Sequence, residues 1–210
     1  MNKPYIDNRR LHWGFFLGMN MMDLEMENLG TIDPASGEQW FADVTRYTPG
    51  FSVGVLGALR LNKYMELRLT PTIHFGQKFI KMRENITGRD TSQTMKTNYI
   101  SLPLSLKVAA PRYNNFRPYV TFGIAPTVCL NSFAQEAYKA KPFDCMIEIG
   151  LGCDLYLPYF KLIPELKFCF GLLNIIDHNR DDLLDKSMMK FTNTVGSSRA
   201  NMIVLSLYFE

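Results

Sequence analysis

The chain has 210 residues, a formal net charge of +3, 13% aromatic residues and 20% charged residues. This length suffices for one domain with a sizeable core, and so small a net charge favours neither nucleic-acid binding nor a strongly acidic partner. No apolar run approaches about 18 residues, which excludes a transmembrane helix.

Alternation of apolar residues with small or polar ones is the main pattern, and it recurs eight times along the chain. Between Arg117 and Leu130, for example, Val120, Phe122 and Ile124 fall on one face and mostly small residues on the other. Such alternation is typical of β-strands, and stripes of about 9–13 residues let a tilted strand cross a membrane. The predicted strands are 11–22, 49–61, 64–77, 99–108, 117–130, 144–157, 160–172 and 199–210.

The predicted connections alternate in length. Short turns fall at Asn62–Lys63, at Pro111–Phe116 and around Pro158. Long polar loops fall at about 23–48, 78–97, 131–143 and 174–198. Short periplasmic turns opposite long external loops are typical of bacterial outer-membrane barrels. The sequence therefore predicts an all-β, transmembrane, antiparallel, up-and-down β-barrel of eight strands, with both termini in the periplasm.

Residues 1–10 are predicted to form a periplasmic N-terminal tail, and residues 11–210 the eight-stranded outer-membrane barrel. The tail lacks the apolar segment of a signal peptide, which a barrel needs in order to cross the inner membrane. We therefore expect a mature or trimmed chain. The alternative fold is a soluble β-barrel or sandwich, whose outer face should be richly charged. Here the faces opposite the apolar stripes carry small residues and few charges, as a narrow barrel interior requires.

Aromatic residues gather near the short turns, where they predict an interfacial girdle. They are Trp13, Tyr64, Tyr113, Phe116, Tyr156, Tyr159, Phe160, Tyr208 and Phe209. Four prolines lie inside predicted strands, namely Pro71, Pro103, Pro126 and Pro164. Because proline donates no ladder hydrogen bond, we expect bulges or local register breaks at these positions.

Charged residues on the predicted inner faces have mixed signs that nearly balance. They are Arg60, Glu66, Arg68, Lys107, Glu148, Asp154, Lys161, Glu165 and Lys167. Unpaired buried charges are costly, so we expect a structural network of salt bridges; an ion or proton path is the less favoured alternative. No nucleophile–base–orienter set stands out, so no catalytic residue and no enzymatic activity are expected.

No cofactor or metal is expected either. Cys129 and Cys169 are predicted to face inward and Cys145 and Cys153 outward, all as free thiols.

His12 and His74 are predicted to face inward at opposite ends of the barrel, too far apart for a shared metal. A loop cluster of His178, Asp181, Asp182 and Asp185 could bind a divalent ion, although a solvated loop is the simpler interpretation. The second long loop is basic and would suit lipopolysaccharide phosphates, through Lys78, Lys81, Arg83, Arg89 and Lys96.

Several runs resemble one family of barrels. These are NYISLPLSLK (98–107), NNFRPY (114–119), EIGLGCDLYLPYFKLIPELKFCFGL (148–172) and NMIVLSLYFE (201–210). They are similar to the PorT (also called SprT) outer-membrane barrels of Bacteroidetes, closely over the fourth to eighth strands and more loosely before. Cys153 and Cys169 depart from the residues usual at their positions.

The resemblance implies a component of the type IX secretion system, which moves cargo proteins with C-terminal signals across the outer membrane. Since eight strands leave no protein conduit, the expected role is that of an accessory or assembly subunit. Its expected partners are outer-membrane lipid or lipopolysaccharide and a larger translocon or other secretion subunits, with no nucleic acid. Candidate periplasmic contacts are the tail and Tyr113, Asn114, Asn115 and Phe116. The alternative is a stand-alone structural or surface-ligand-binding barrel that acts through its long loops.

Overall fold

The computed structural model of the protein describes residues 2, 9–28, 40–46, 49–84, 90–130, 143–173 and 195–210. No described residue belongs to a helix that is long and apolar enough to cross a membrane. The strand segments are β1 (Leu11–Asn28), β2 (Trp40–Arg46), β3 (Pro49–Arg60), β4 (Met65–Leu69), β5 (Thr72–Glu84), β6 (Asp90–Ser101), β7 (Leu104–Ala109), β8 (Phe116–Cys129), β9 (Phe143–Tyr156), β10 (Lys161–Gly171) and β11 (Val195–Phe209).

The eleven segments form eight barrel strands, because β2 and β3, β4 and β5, and β6 and β7 are consecutive pieces of single strands. Neighbouring strands are antiparallel all the way around the sheet. β1 pairs with β3 on one side and with β11 on the other, which closes the barrel. The predicted eight-stranded antiparallel barrel is therefore confirmed.

The register of the strand pairs sets the width of the barrel. Paired residues lead once around the wall from Trp13 through Gly57, Leu69, Leu104, Ile124, Ile147, Phe170 and Asn201 to Asp23. The path returns to β1 ten residues beyond its start. Eight strands with this stagger tilt by about 40° and enclose an interior that side chains can fill.

The two faces of the wall differ as the alternation predicts. On β8, Val120, Phe122 and Ile124 are 45–54% exposed on the outer surface, whereas Tyr119 and Thr121 are only 4% exposed. A soluble barrel would present polar residues outward, so the apolar outer face contradicts the alternative of a soluble fold. The outer surface suits a hydrocarbon environment, and the interior holds the polar residues.

The prolines interrupt strands without shifting their register, so the predicted register breaks are wrong. Pro71 and Pro103 lie between segments, whereas Pro126 and Pro164 remain inside β8 and β10. Strand pairing keeps the same offset on both sides of each interruption. Proline carbonyls still accept ladder bonds, as from Thr70 N to Pro103 O (3.1 Å) and from Leu102 N to Pro126 O (3.0 Å). Each proline therefore removes only a donor.

The strands extend further beyond the apolar stripes than the sequence predicts. Residues 23–28, 40–46, 78–84, 90–97 and 195–198 are paired strand rather than loop. Apolar and polar residues do not alternate regularly in these segments, so hydrophobic periodicity gives no strand signal there. The remaining parts of the third and fourth predicted loops, 131–142 and 174–194, lie outside the described residues.

Ile149 tests whether the outer face contacts lipid. It lies at the centre of β9 and is 48% exposed. We expect Ile149→Arg to destabilise the barrel by about 2–4 kcal/mol in lipid vesicles, because arginine is costly near the bilayer midplane. Phe143→Arg, at the outer end of the same strand, should cost about 0–1 kcal/mol. Urea unfolding from vesicles measures both, and equal costs would contradict the membrane-spanning assignment of this face.

Candidate functional site

Eight of the nine predicted interior charges lie together in the lumen. Each is 6% exposed or less: Glu66, Arg68, Lys107, Glu148, Asp154, Lys161, Glu165 and Lys167. The prediction for Arg60 is wrong, because its side chain is half-buried at the periplasmic rim and its Nε donates to Asn62 O (3.3 Å). Arg60 ends β3, where the chain turns and strand alternation no longer fixes the direction of the side chain.

Arg117 and Glu210 join this group, although neither was predicted to belong to it. Arg117 is 5% exposed, with Nη1 at 3.7 Å from Glu66 Oε1, and the Glu210 side chain is 7% exposed. The signal for Arg117 was available, since it shares the inward parity of Tyr119 and Thr121 on β8. We call these ten residues the lumen charge cluster. It contains five cations and five carboxylates, so its formal charges cancel.

Asp154 is at the centre of one half of the cluster. Lys107 Nζ lies 2.6 Å and 2.8 Å from its two carboxylate oxygens, and Lys161 Nζ lies 3.4 Å from Oδ2. Lys107 also approaches Glu66 Oε2 at 3.4 Å. Asp154 and Lys107 are both completely buried. Desolvation of such charges is compensated only by close, hydrogen-bonded partners, which this arrangement supplies.

Glu165 is at the centre of the other half. Arg68 Nη1 lies 3.0 Å from Oε2, and Lys167 Nζ lies 3.5 Å from Oε1. The Tyr119 hydroxyl donates to Oε2, and the Tyr208 hydroxyl donates to Oε1 at 3.5 Å. The Arg68 guanidinium also lies over the Tyr119 ring, 4.8 Å from its centroid. These aromatic contacts add a cation–π contribution to the ion pairs.

Two aromatic residues of the predicted girdle belong to this interior instead. Tyr156 is 1% exposed and Tyr208 is fully buried, and the Lys161 Nζ lies 5.5 Å from the Tyr156 ring centroid. Their positions in strand alternation face inward, so proximity to the turns alone gave the wrong prediction. Of the other predicted girdle residues, Trp13, Tyr64, Phe116 and Phe160 are exposed on or beside the strands, and Tyr113 and Tyr159 are exposed in the connecting turns.

Glu210 connects the cluster to the periplasmic end of the barrel, just beyond β11. Its Oε2 lies 3.2 Å from Lys161 Nζ, and His12 Nδ1 hydrogen-bonds to its Oε1. Burial alone would raise the pKa of this carboxyl. The hydrogen bond from His12 and the charge of Lys161 outweigh burial and lower the pKa to about 2. Glu210 is therefore ionised at neutral pH.

A second polar chain crosses the lumen further toward the external end. Asn20 Nδ2 donates to Ser52 Oγ (2.7 Å), and His74 bridges Ser52 (2.8 Å) and Ser101 (3.1 Å). His12 and His74 thus make separate contacts, as predicted. An apolar cluster fills the neighbouring interior with Met22, Tyr99, Ala125, Cys129, Met146, Cys169, Met202 and Val204. Side chains therefore occupy the described lumen on both sides of the polar chain.

The four cysteines are free thiols, with Cys129 and Cys169 buried and Cys145 and Cys153 half-buried on the outer side, as predicted. The described residues contain no group of three or more His, Cys, Asp or Glu placed to hold a metal ion. The predicted ion site at residues 178–185 lies outside the described residues. So do the side chains of the predicted basic loop at positions 78, 81, 83, 89 and 96.

The predicted periplasmic contact residues form a defined hairpin turn. Tyr113 and Phe116 exchange backbone hydrogen bonds of 2.9 Å and 3.0 Å, and Asn114 adopts a positive φ of 52°. All four residues from Tyr113 to Phe116 are exposed, Tyr113 by 77%. Asn115 O accepts a hydrogen bond from Tyr156 N (2.9 Å), which fixes the turn to the barrel.

The family profile described as "Outer membrane protein beta-barrel domain" matches residues 2–177. No curated protein matches the chain in sequence. Among solved structures, the chain is similar to Neisserial surface protein A, with 10% identity, coverage of 95% of this chain and 98% of that chain, and a TM-score of 0.46. The chain is also similar to OprG from Pseudomonas aeruginosa, with 13% identity, coverage of 97% of this chain and 95% of that chain, and a TM-score of 0.48. A third similar structure is Ail of Yersinia pestis, solved with the heparin analogue sucrose octasulfate. It has 10% identity, coverage of 96% of this chain and 99% of that chain, and a TM-score of 0.39.

The fold and the family match together define a small bacterial outer-membrane β-barrel protein. The chain belongs to the outer membrane protein beta-barrel domain family.

Lys107 tests the energetics of the lumen charge cluster. We expect Lys107→Met to destabilise the barrel by about 3 kcal/mol, because it leaves Asp154 and Glu66 short of a buried partner. The double variant Lys107→Met, Asp154→Leu should recover part of this loss, since equal numbers of both charges then remain. Lys63→Met, at an exposed turn, is the control and should change stability by less than about 0.5 kcal/mol. Urea unfolding that gives equal values for Lys107 and Lys63 would contradict the account.

Glu210 tests the periplasmic end of the cluster through pH. The pKa of Glu210 is about 2 in the folded state and 4.5 for an ordinary glutamate. Its ionised carboxylate therefore contributes its full stabilisation of the fold at pH values above 4.5. That contribution is lost as the pH falls from 4.5 toward 2. We expect Glu210→Gln to be less stable than the parent at neutral pH and the difference to shrink across this window. Urea unfolding at several pH values measures it, and a pH-independent difference would overturn the assignment.

Proposed function

We propose that this protein is a non-enzymatic accessory or assembly subunit of the type IX protein secretion machinery, of the PorT/SprT kind found in Bacteroidetes. The observation that carries the proposal is the filled lumen, in which Asp154 and Glu165 each lie close to at least two cations. A secreted protein cannot pass through such an interior. The contribution to secretion must then come from the turns, the tail and the outer wall.

The sequence runs at 98–107, 114–119, 148–172 and 201–210 support the assignment to this kind of barrel. They contain structural features of the site itself. Lys107, Asp154 and Glu165 lie in these runs, and so does the turn residue Asn115. The resemblance therefore includes both the residues that fill the lumen and the hairpin turn at the periplasmic end.

A non-enzymatic role agrees with the state of the buried carboxylates. Glu66, Asp154 and Glu165 each have a cation within 3.4 Å. Their side chains are enclosed in the lumen toward the short-turn end, away from the external rim where a substrate would arrive. A general acid or base needs access to a reacting group. The proposed partners are instead the lipid and lipopolysaccharide of the outer membrane and a larger translocon or other secretion subunits.

The second candidate is a stand-alone structural or surface-ligand-binding barrel. The observation in its favour is the length of the strands, since β1 and β11 remain paired up to Asn28 and Val195. Similarly, β5 pairs with β2 and β6 as far as Glu84 and Asp90. Paired strands of this length provide a firm base for external loops, which such a barrel would use to bind ligands.

Deletion of the gene, followed by assay of secreted cargo proteins, tests the proposal. We expect cargo with C-terminal signals to accumulate inside the cells and secretion to return on complementation. The level of an unrelated outer-membrane barrel serves as the control, because it should not change if the envelope is intact. Normal cargo secretion in the deletion strain would overturn the accessory role and favour the second candidate.

A further inference from the structure

The periplasmic end of the barrel carries exposed cations and tyrosines. Its described turns span residues 61–64, 110–116 and 157–160, and Arg9 and Arg10 precede β1 at the same end. Tyr159 is 90% exposed and Tyr113 is 77% exposed. We call these turns, together with Asn2, Arg9 and Arg10, the periplasmic face.

The charges of this face are uneven although the net charge of the chain is only +3. Arg9, Arg10 and Lys63 are exposed, and Arg112 is half-buried. The described turns contain no carboxylate. Glu66, Asp154 and Glu210, the carboxylates at this end of the strands, are enclosed in the lumen and paired with cations there. Among the described residues, the exposed charged side chains of this face are therefore all cations.

The face is held in place before any partner binds. Arg112 Nε donates to Asn114 O (2.8 Å), and its guanidinium lies 3.5 Å from the Tyr156 ring centroid. Arg112 Nη2 also donates to Asn2 O, while Asn2 N donates to Asn115 Oδ1 (2.9 Å) and Asn2 Nδ2 to Tyr156 O (3.1 Å). Asn2 is thus fixed to the hairpin turn, and preorganisation of this turn lowers the cost of binding.

The basic residues before β1 are anchored through their backbone. Arg9 O lies 3.0 Å from His12 Nε2, and Arg10 O accepts a hydrogen bond from Arg60 N (2.9 Å). Their side chains remain exposed. The anchored backbone fixes where these two side chains begin, and guanidinium groups can bind carboxylates through paired hydrogen bonds.

We propose that the periplasmic face binds an acidic segment of another polypeptide, rich in aspartate and glutamate, in a subunit of the same secretion machinery. The inference rests on the proposed function and adds the chemistry of the partner and the surface that binds it. Arg9, Arg10 and Lys63 pair with the carboxylates of the segment, and Tyr113 and Tyr159 supply rigid apolar contact.

A polypeptide fits this face better than a lipid headgroup layer does. The residues suited to the lipid interface are Trp13, Phe116 and Phe160, which lie on or beside the strands. Tyr113 and Tyr159 lie in the connecting turns, further from the strands. Tyrosine and arginine are also enriched at protein–protein interfaces. Three of the four cations of the face are arginines.

Photo-crosslinking in living cells tests the inference. Tyr113 and Tyr159 are each replaced by p-benzoylphenylalanine, and crosslinked peptides are identified by mass spectrometry. Phe143 is the matched control, because it is 56% exposed at the opposite end of the barrel. We expect both turn positions, and not the control, to crosslink to one periplasmic polypeptide within an acidic segment. Crosslinks to lipid alone, or no crosslink at all, would overturn the inference.

Charge reversal supplies the second arm. Combined Arg9→Glu and Arg10→Glu should lower the crosslinking yield at least about tenfold, which corresponds to 1.4 kcal/mol of binding free energy. The conservative pair Arg9→Lys and Arg10→Lys should retain most of it. Arg199→Glu, exposed on β11 near the external end, is the control and should have no effect. Heat-modifiable migration on gels checks that each variant is folded, and a yield insensitive to charge reversal would overturn the inference.

The two proposals fail in different ways. If deletion blocks secretion but the crosslinks ignore the charge of residues 9 and 10, the accessory role stands and the acidic partner is wrong. If deletion leaves secretion normal, the accessory role is wrong, and a charge-dependent crosslink then identifies an acidic partner outside the secretion machinery, which contradicts the inference as stated.

Discussion

Backbone hydrogen bonding in hydrocarbon is the constraint on which the rest of this structure depends. Lipid offers no donor or acceptor, so every peptide group in the membrane must be paired within the protein. The pairing of β1 with β11 meets this requirement by closing the sheet. Closure with eight strands and a ten-residue stagger then fixes a narrow interior. Both the filled lumen and the exposed apolar wall follow from that geometry.

The narrow interior determines which side chains the lumen accepts. Gly152 lies opposite Tyr119, and a Cβ at this glycine would come within 2.4 Å of the phenol group. The missing side chain therefore leaves room for Tyr119 to reach Glu165. Charges placed in so small a space must be paired, and the balance of five cations with five carboxylates meets that need. The interior is therefore occupied by the same residues that stabilise it.

Strand alternation predicted the closed barrel and the inward direction of Lys107, Asp154 and Glu165, because burial in lipid and burial in the lumen impose opposite chemistry on successive residues. Strand alternation made no prediction for segments where apolar and polar residues no longer alternate. Arg60 lies at a strand terminus, and the external extensions of the strands lack hydrophobic alternation in their sequence. Proximity to the turns placed Tyr156 and Tyr208 in the girdle, although alternation directs both inward. Contacts that join distant segments, such as Asn2 with Asn115, leave no local pattern in a sequence.

The described lumen of this barrel is filled by side chains, and we propose that the protein acts through its surfaces rather than as a channel. Conductance of the purified protein in planar lipid bilayers tests the claim most directly, with a large open porin as the positive control. The account predicts no stable conductance steps above the background of the bare bilayer. Reproducible open-channel steps that persist at constant voltage would contradict it.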